Sequence, residues 1–199
     1  MLTLPNDEFF PKVRDIFLFL TQLKPNLSYK SGSGTEAWIG KIERTIRVDF
    51  DYTIAEGIGK RRFLVRPEYQ EELKAITGEL KAYAEQGTLL CQTPFSFRER
   101  YHRSLGKILG YPETAIEAFV KDDYLQEEQA LLSLEEVADL ATWNPELKAL
   151  GFKSIRLSKK NFMLEIEQYY KPKAKYLQLH FPDVYKQLLE IGAEKFGIK

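Results

Sequence analysis

One cysteine and two histidines are all that 199 residues hold of the side chains that most often cross-link a chain or bind zinc. The single Cys91 has no partner for an internal disulfide, which argues against the cystine-stapled secreted class and favours a reducing, cytoplasmic setting. His102 and His180 are too few for an all-histidine metal site, and their separation matches no zinc-ligand spacing. Net charge is also missing: 29 Lys and Arg residues balance 29 Asp and Glu residues. The chain therefore has no long-range field to steer it to nucleic acid or an anionic membrane, and electrostatic recognition has to be local. Met1 to Asp7 lacks the basic and apolar regions of a signal peptide, and the most apolar window, Ile16 to Leu20, is too short to cross a bilayer. Neither secretion nor membrane insertion is expected. Repeats of fixed period are absent, which argues against a solenoid.

What is present reads as one globular domain, 1–199, of α+β class: predominantly helical, with a small three-stranded antiparallel meander. Hydrophobic residues make up 44% and charged residues 29% of the chain, near the globular average. Aromatic residues reach 13%, enough to contribute much of the core or to line a binding surface. Val13, Ile16, Phe17, Leu20 and Leu23 recur at helical spacing between Pro11 and Pro25. Asn26 to Gly34, rich in Ser, Gly and Asn, reads as a loop. Ile46, Val48, Phe50, Tyr52 and Ile54 alternate with polar residues and predict a central strand. Glu36 to Ile42 and Arg61 to Val65 are its expected partners, the latter after a Gly57-Ile58-Gly59 turn.

Beyond Pro67 the periodicity is helical. Tyr69, Leu73, Ile76, Leu80 and Tyr83 form a stripe ended by Gly87, and further helices are expected over Ser96 to Leu109 and from Pro112. Ser133-Leu-Glu-Glu136 is a capping box, Phe152 to Leu157 a short strand, Ser158 the start of a helix through Tyr170, and Asp183 the start of the last helix. Pro172 and Pro182 are expected to separate these final pieces.

Asp49-Phe50-Asp51 is the sharpest candidate for chemistry. Residues two apart on a strand project to one face, so both carboxylates can share a divalent cation such as Mg²⁺ or Mn²⁺. With Gly32-Ser33 or Gly34-Thr35 upstream, the pattern resembles the nucleotidyltransferase signature, a Gly-Ser turn before an Asp-x-Asp strand. That resemblance implies metal-dependent transfer chemistry. Thr35 departs from the pattern, and no third carboxylate is evident on a following strand. The plainer alternative is that Asp49 and Asp51 pair with Lys60, Arg61 or Arg62 across the sheet.

The run from Arg100 to Phe119, with its Leu109-Gly-Tyr-Pro112 corner, is similar to a segment of an uncharacterised prokaryotic family of unknown function. There a Tyr-His-x-x-Leu-Gly helix leads into Leu-Gly-Tyr-Pro-x-Cys-Cys. Thr114 and Ala115 stand at the cysteine positions here, so any thiol chemistry of that family is lost. Read physically, Arg100, Arg103 and Lys107 share one helix face while Arg98 and His102 lie on an adjoining one. Such a stripe suits a phosphate-bearing ligand or an RNA backbone, and it equally suits a solvated helix whose arginines meet acidic neighbours. Leu89-Leu90-Cys91 reads as the apolar setting of a buried, inert thiol.

Charge is segregated along the second half. Glu113 to Asp139 is acidic, whereas Lys153, Arg156, Lys159, Lys160, Lys171, Lys173 and Lys175 are interleaved with Tyr169, Tyr170 and Tyr176. The basic stretch can stack bases and contact phosphates, or dock on acidic segments within the chain or in a homo-oligomer. The expectation is thus a cytoplasmic binding or interaction protein without catalysis of its own. A metal-dependent enzyme on Asp49 and Asp51, and a nucleic-acid-binding module on segments 98–107 and 153–176, are the alternatives; whether the chain is an enzyme stays open.

Overall fold

A computed structural model describes residues 10–30, 34–57, 61–125, 130–151 and 155–196. The chain is 66% helical with a three-stranded antiparallel sheet, as composition and periodicity lead one to expect. It divides into two compact units, residues 12–110 and, grouped together, residues 1–11 and 111–199. No helix among the described residues is long and apolar enough to cross a membrane.

The first unit opens within α1 (Phe10–Leu20), whose Val13, Ile16, Phe17, Phe19 and Leu20 are buried. The sheet consists of β1 (Leu27–Lys30), β2 (Thr53–Glu56) and β3 (Arg61–Val65) in the order β1-β3-β2. Arg61–Val65 is therefore the central strand, and only β2 and β3 are neighbours both in sequence and in space. Phe63, Leu64 and Val65 are all buried, the pattern of a strand covered on both faces. Gly57 closes the β2 end of the hairpin: its N–H donates to the Arg61 carbonyl at 2.9 Å. A Cβ there would lie 2.8 Å from Phe63 Cε2.

Three sequence expectations are corrected here. Leu27–Lys30 is a strand within the expected Asn26–Gly34 loop, because Leu27 and Tyr29 alternate inward along β3 with Ser28 between them. Glu36 to Ile42 belongs to a helix, α2 (Thr35–Glu43), in which Thr35, Ile39 and Ile42 are buried at spacings of four and three. Residues 46–52 alternate between half-buried and exposed as expected, yet they form irregular chain outside the sheet, bent at residues 46 and 50, while β1 and β2 occupy both edges of β3. Phe50 and Tyr52 instead pack edge-on against Phe19, at centroid distances of 5.5 and 5.2 Å. The expected turn at Ile58 and Gly59 lies outside the described residues.

After a 3-10 turn (Pro67–Tyr69) come α3 (Gln70–Glu85) and α4 (Phe95–Ile108). Leu73, Ile76 and Leu80 of α3 join Phe97, Tyr101 and Ile108 of α4, with Phe63 and Val65, in one core cluster. Burying each large side chain contributes roughly 1.5–3 kcal/mol. Asn26, fully buried, ties three elements of this unit together. Its Nδ2 donates to the Ile108 carbonyl at the end of α4 at 2.6 Å, and its Oδ1 accepts from the Arg66 amide at 2.8 Å.

The second unit is helical: α5 (Glu113–Leu125), α6 (Leu134–Trp143), α7 (Pro145–Leu150), α8 (Phe162–Glu165), a π turn (Ile166–Tyr170), α9 (Lys171–His180) and α10 (Pro182–Phe196). The Ser133–Glu136 capping box forms as expected: Ser133 Oγ accepts from the Glu136 amide at 3.1 Å, and Glu136 Oε2 from the Ser133 amide at 2.7 Å. Pro182 separates α9 from α10, but Pro172 does not interrupt the chain, which stays helical from Phe162 to His180. In the π turn Lys171 N–H bonds five residues back to the Ile166 carbonyl, and this widened turn takes up the proline that follows. Residues 155–157 form no strand; a single antiparallel bridge joins Leu131 to Ser158. The remainder of the strand expected from Phe152 lies outside the described residues.

Candidate functional site

The basic stripe of α4 is engaged within its own unit. Arg100 pairs with Glu79 of α3, Arg103 Nε bonds Glu99 at 3.0 Å, and His102 stands edge-on to Tyr101 at 5.3 Å. Arg98 Nη1 donates to the Cys91 carbonyl at 3.2 Å, while Lys107 is exposed. The helix carries these residues where its periodicity places them, and the arginines meet carboxylates or a carbonyl. In the other basic stretch, Lys171 pairs with Glu167, Lys173 sits 3.5 Å above the Tyr169 ring and Lys159 lies 3.9 Å from Glu136. Lys153 lies outside the described residues.

Asp49 and Asp51 are both exposed on the irregular segment, on either side of a bend at residue 50. Asp49 accepts from Gln22 Nε2 at 2.9 Å, and Gln22 holds a left-handed backbone at φ 63° just beyond α1. Of the expected basic partners, Arg62 pairs across the strands with Glu56 instead, at 3.3 Å, and Lys60 lies outside the described residues. Among the described residues no group of three or more His, Cys, Asp or Glu side chains is placed to hold a metal ion. A Mg²⁺ or Mn²⁺ ion at the Asp pair would need its remaining oxygens from water or substrate.

A different site is visible between β3, α3 and α4. Gly87, at φ 74°, ends α3, and the Thr88 amide turns back to the Tyr83 carbonyl at 3.0 Å, so Thr88, Leu89 and Leu90 fold over the helix. Gln92 Oε1 accepts from the Leu89 amide at 3.0 Å, Thr93 Oγ1 donates to the Leu90 carbonyl at 2.7 Å, and Arg98 fixes the Cys91 carbonyl. Arg98 thus acts as a clamp on a loop wall. Beneath that wall lies an open groove of about 370 Å³ whose apolar lining comes from Phe63, Leu80, Ala84, Leu89 and Leu90. Thr77, Thr88, Tyr101 and Arg61 supply its polar atoms.

Leu89 is 64% exposed, a large apolar side chain left in water at the groove edge. Arg61 is exposed, and neither it nor the Tyr101 hydroxyl has a hydrogen-bond or ion-pair partner among the described residues. Burial pushes the Tyr101 hydroxyl above its ordinary pKa, and the nearby Arg61 charge only partly offsets this. Tyr101 therefore remains a neutral donor through the physiological range.

No family model matches the chain, and comparison with curated proteins and with solved structures returns no match.

Sequence reasoning passed over this groove because its residues lie between Arg61 and Tyr101, on four different segments. Cys91 is exposed, contrary to the buried setting that Leu89-Leu90 suggests. The leucines form the groove wall and its rim, and the thiol beside them faces solvent. Two leucines in a short connection between a Gly stop and Pro94 were the available signal. In the second unit, the position of the absent cysteine pair is also defined. Thr114 donates to Glu165, a carboxylate 4% exposed that also accepts from the Ser158 hydroxyl at 2.7 Å and the Ser158 amide at 2.9 Å; Ala115 is buried. Three donors satisfy this buried carboxylate, so it pins α5, α8 and the chain at Ser158 together.

Proposed function

We propose that the chain is a binding protein, without catalysis of its own, that receives a small ligand in the groove between β3, α3 and α4. The observation that carries this reading is the convergence of an apolar hollow with two polar groups, Arg61 and the Tyr101 hydroxyl, that lack a protein partner among the described residues. Small-molecule sites combine mostly apolar walls with a few placed polar groups in this way. Among the described residues the groove lining holds no carboxylate, imidazole or thiol, and its apolar walls with a few hydroxyls and one guanidinium suit recognition. The exposed Cys91 fits a reducing, cytoplasmic location.

Thermal-shift screening of a metabolite panel tests the proposal, because any ligand that binds only the native state raises the melting temperature. Ala84 is an exposed α3 residue in the groove lining, so Ala84→Trp should fill the hollow and leave the fold in place. Hits lost in Ala84→Trp support the groove; hits that survive it contradict it. In the same screen, stabilisation by Mg²⁺ or Mn²⁺ alone, or by short RNA, would favour the Asp49–Asp51 enzyme or the nucleic-acid module instead.

A further inference from the structure

From the groove's chemistry we infer that its ligand is a small carboxylate with an apolar body, the carboxylate held by Arg61 and the Tyr101 hydroxyl and the body lying along Leu80, Ala84 and Leu89. The inference rests on the binding reading above and goes beyond it by assigning the ligand's class.

Charge complementarity selects the anion. Among the described residues, Arg61 is the one cationic side chain in the lining, with no carboxylate in the lining to compensate it. The next strand residue, Arg62, faces Glu56, and Arg100 on α4 is bound to Glu79, so neither competes for the same anion. A guanidinium presents two parallel N–H donors that match one carboxylate, and a hydroxyl beside it supplies a third donor. A single cation balances a monoanion; a phosphate dianion would remain half neutralised at the mouth of an apolar hollow, where unpaired charge is costly. The body of the ligand follows from the apolar part of the lining. Leu80, Ala84 and Leu89 offer no polar side-chain atom, and the exposed Leu89 gains most by being covered. Thr77 already donates its hydroxyl to the Leu73 carbonyl at 2.7 Å, which leaves that flank with an acceptor only. A sugar or a nucleoside, with hydroxyls on every side, would find few partners there.

Titration calorimetry with octanoate, and with octan-1-ol as its uncharged counterpart, tests this on the full chain. The expected result is that octanoate binds at least about tenfold more tightly than octanol. Arg61→Gln should remove that preference by weakening octanoate alone, and Tyr101→Phe should weaken octanoate by about fivefold while keeping the ring in the core. Arg61 is exposed at a strand end, so its variant should keep the wild-type circular dichroism and melting temperature. Ala84→Trp should abolish binding of both compounds. If octanoate and octanol bind alike, Arg61→Gln changes neither and Ala84→Trp removes both, the carboxylate assignment is overturned while the groove stands as a binding site. If neither compound binds at roughly millimolar concentration, or if both survive Ala84→Trp, the assignment and the groove reading fall together.

Discussion

Asn26 is the residue whose replacement should most clearly separate the sequence-based reading of a flexible loop from the buried junction in the fold. Its amide satisfies the carbonyl of Ile108, one of the groups that the end of α4 leaves without an intrahelical partner, and its oxygen satisfies the Arg66 amide just beyond β3. Asn26→Ala strips both bonds at a fully buried position, at about 1–3 kcal/mol for each backbone group left unpaired, or roughly 3 kcal/mol in all. Asn26→Asp keeps the shape and the acceptor, but the charged form cannot donate to Ile108. Burial against a carbonyl raises the pKa of that new carboxyl in the folded state above its unfolded value near 3.9. The destabilisation should therefore be small below that value, grow as pH rises through the folded pKa, and be complete above it. Urea unfolding followed by Trp38 fluorescence measures this in the first unit, with Trp143, 84% exposed, replaced by Phe to silence the second. An Asn26→Ala cost below about 1 kcal/mol, or an Asn26→Asp deficit that widens toward acid, would refute the reasoning.

Other substitutions probe further links in the fold. Gly57→Ala forces a Cβ to 2.8 Å from Phe63 and should cost about 1–3 kcal/mol, read from the urea midpoint. Asp15→Asn should cost about 3 kcal/mol, since Arg14, 2% exposed, bonds the Asp15 carboxylate at 2.9 Å. Burial opposes ionisation of Asp15, but Arg14 and Lys24 outweigh it and hold its pKa below the ordinary value of 3.8. The wild type should therefore lose that contribution only as pH falls through the lowered pKa, and an acid titration of stability will show whether the Asn variant lacks this step. Ser133→Ala removes one side of the α6 capping box and should lower stability by about 1 kcal/mol, seen in thermal melts. Arg100→Glu with Arg103→Glu places like charges against Glu79 and Glu99 on a partly exposed surface, so the loss should be modest, on the order of 1 kcal/mol, and should shrink with salt.

Local signals and non-local assembly account for what could be read in advance. The stop at Gly87, the apolar stripes of α1, α3 and α4 and the Ser133–Glu136 box were legible because each works within a few residues, whereas α1 ends at Leu20, ahead of the stop expected at Pro25. The alternation from Ile46 to Tyr52 separated wet from half-buried side chains but failed at Ile54, which is exposed, and alternation by itself does not specify pairing. Which extended segment joins β3 depends on competition for its two edges, and the four-residue Leu27–Lys30 won one of them with only Leu27 and Tyr29 to mark it. The Thr35, Ile39 and Ile42 spacing was a helical signal that a strand reading of 36–42 overlooked. For the candidate site, the spacing of Arg98, Arg100, Arg103 and Lys107 was right as helix geometry, yet the Glu79 partner of Arg100 comes from another helix. The groove depends wholly on such packing: Arg61 and Tyr101 are brought together by β3, α3 and α4.

Amide chemical-shift mapping with octanoate tests the central claim most directly. Shifts centred on Leu80, Ala84, Leu89 and Tyr101, and absent in Ala84→Trp, are the predicted result. No shifts at these amides, or the same shifts in the filled variant, would contradict it.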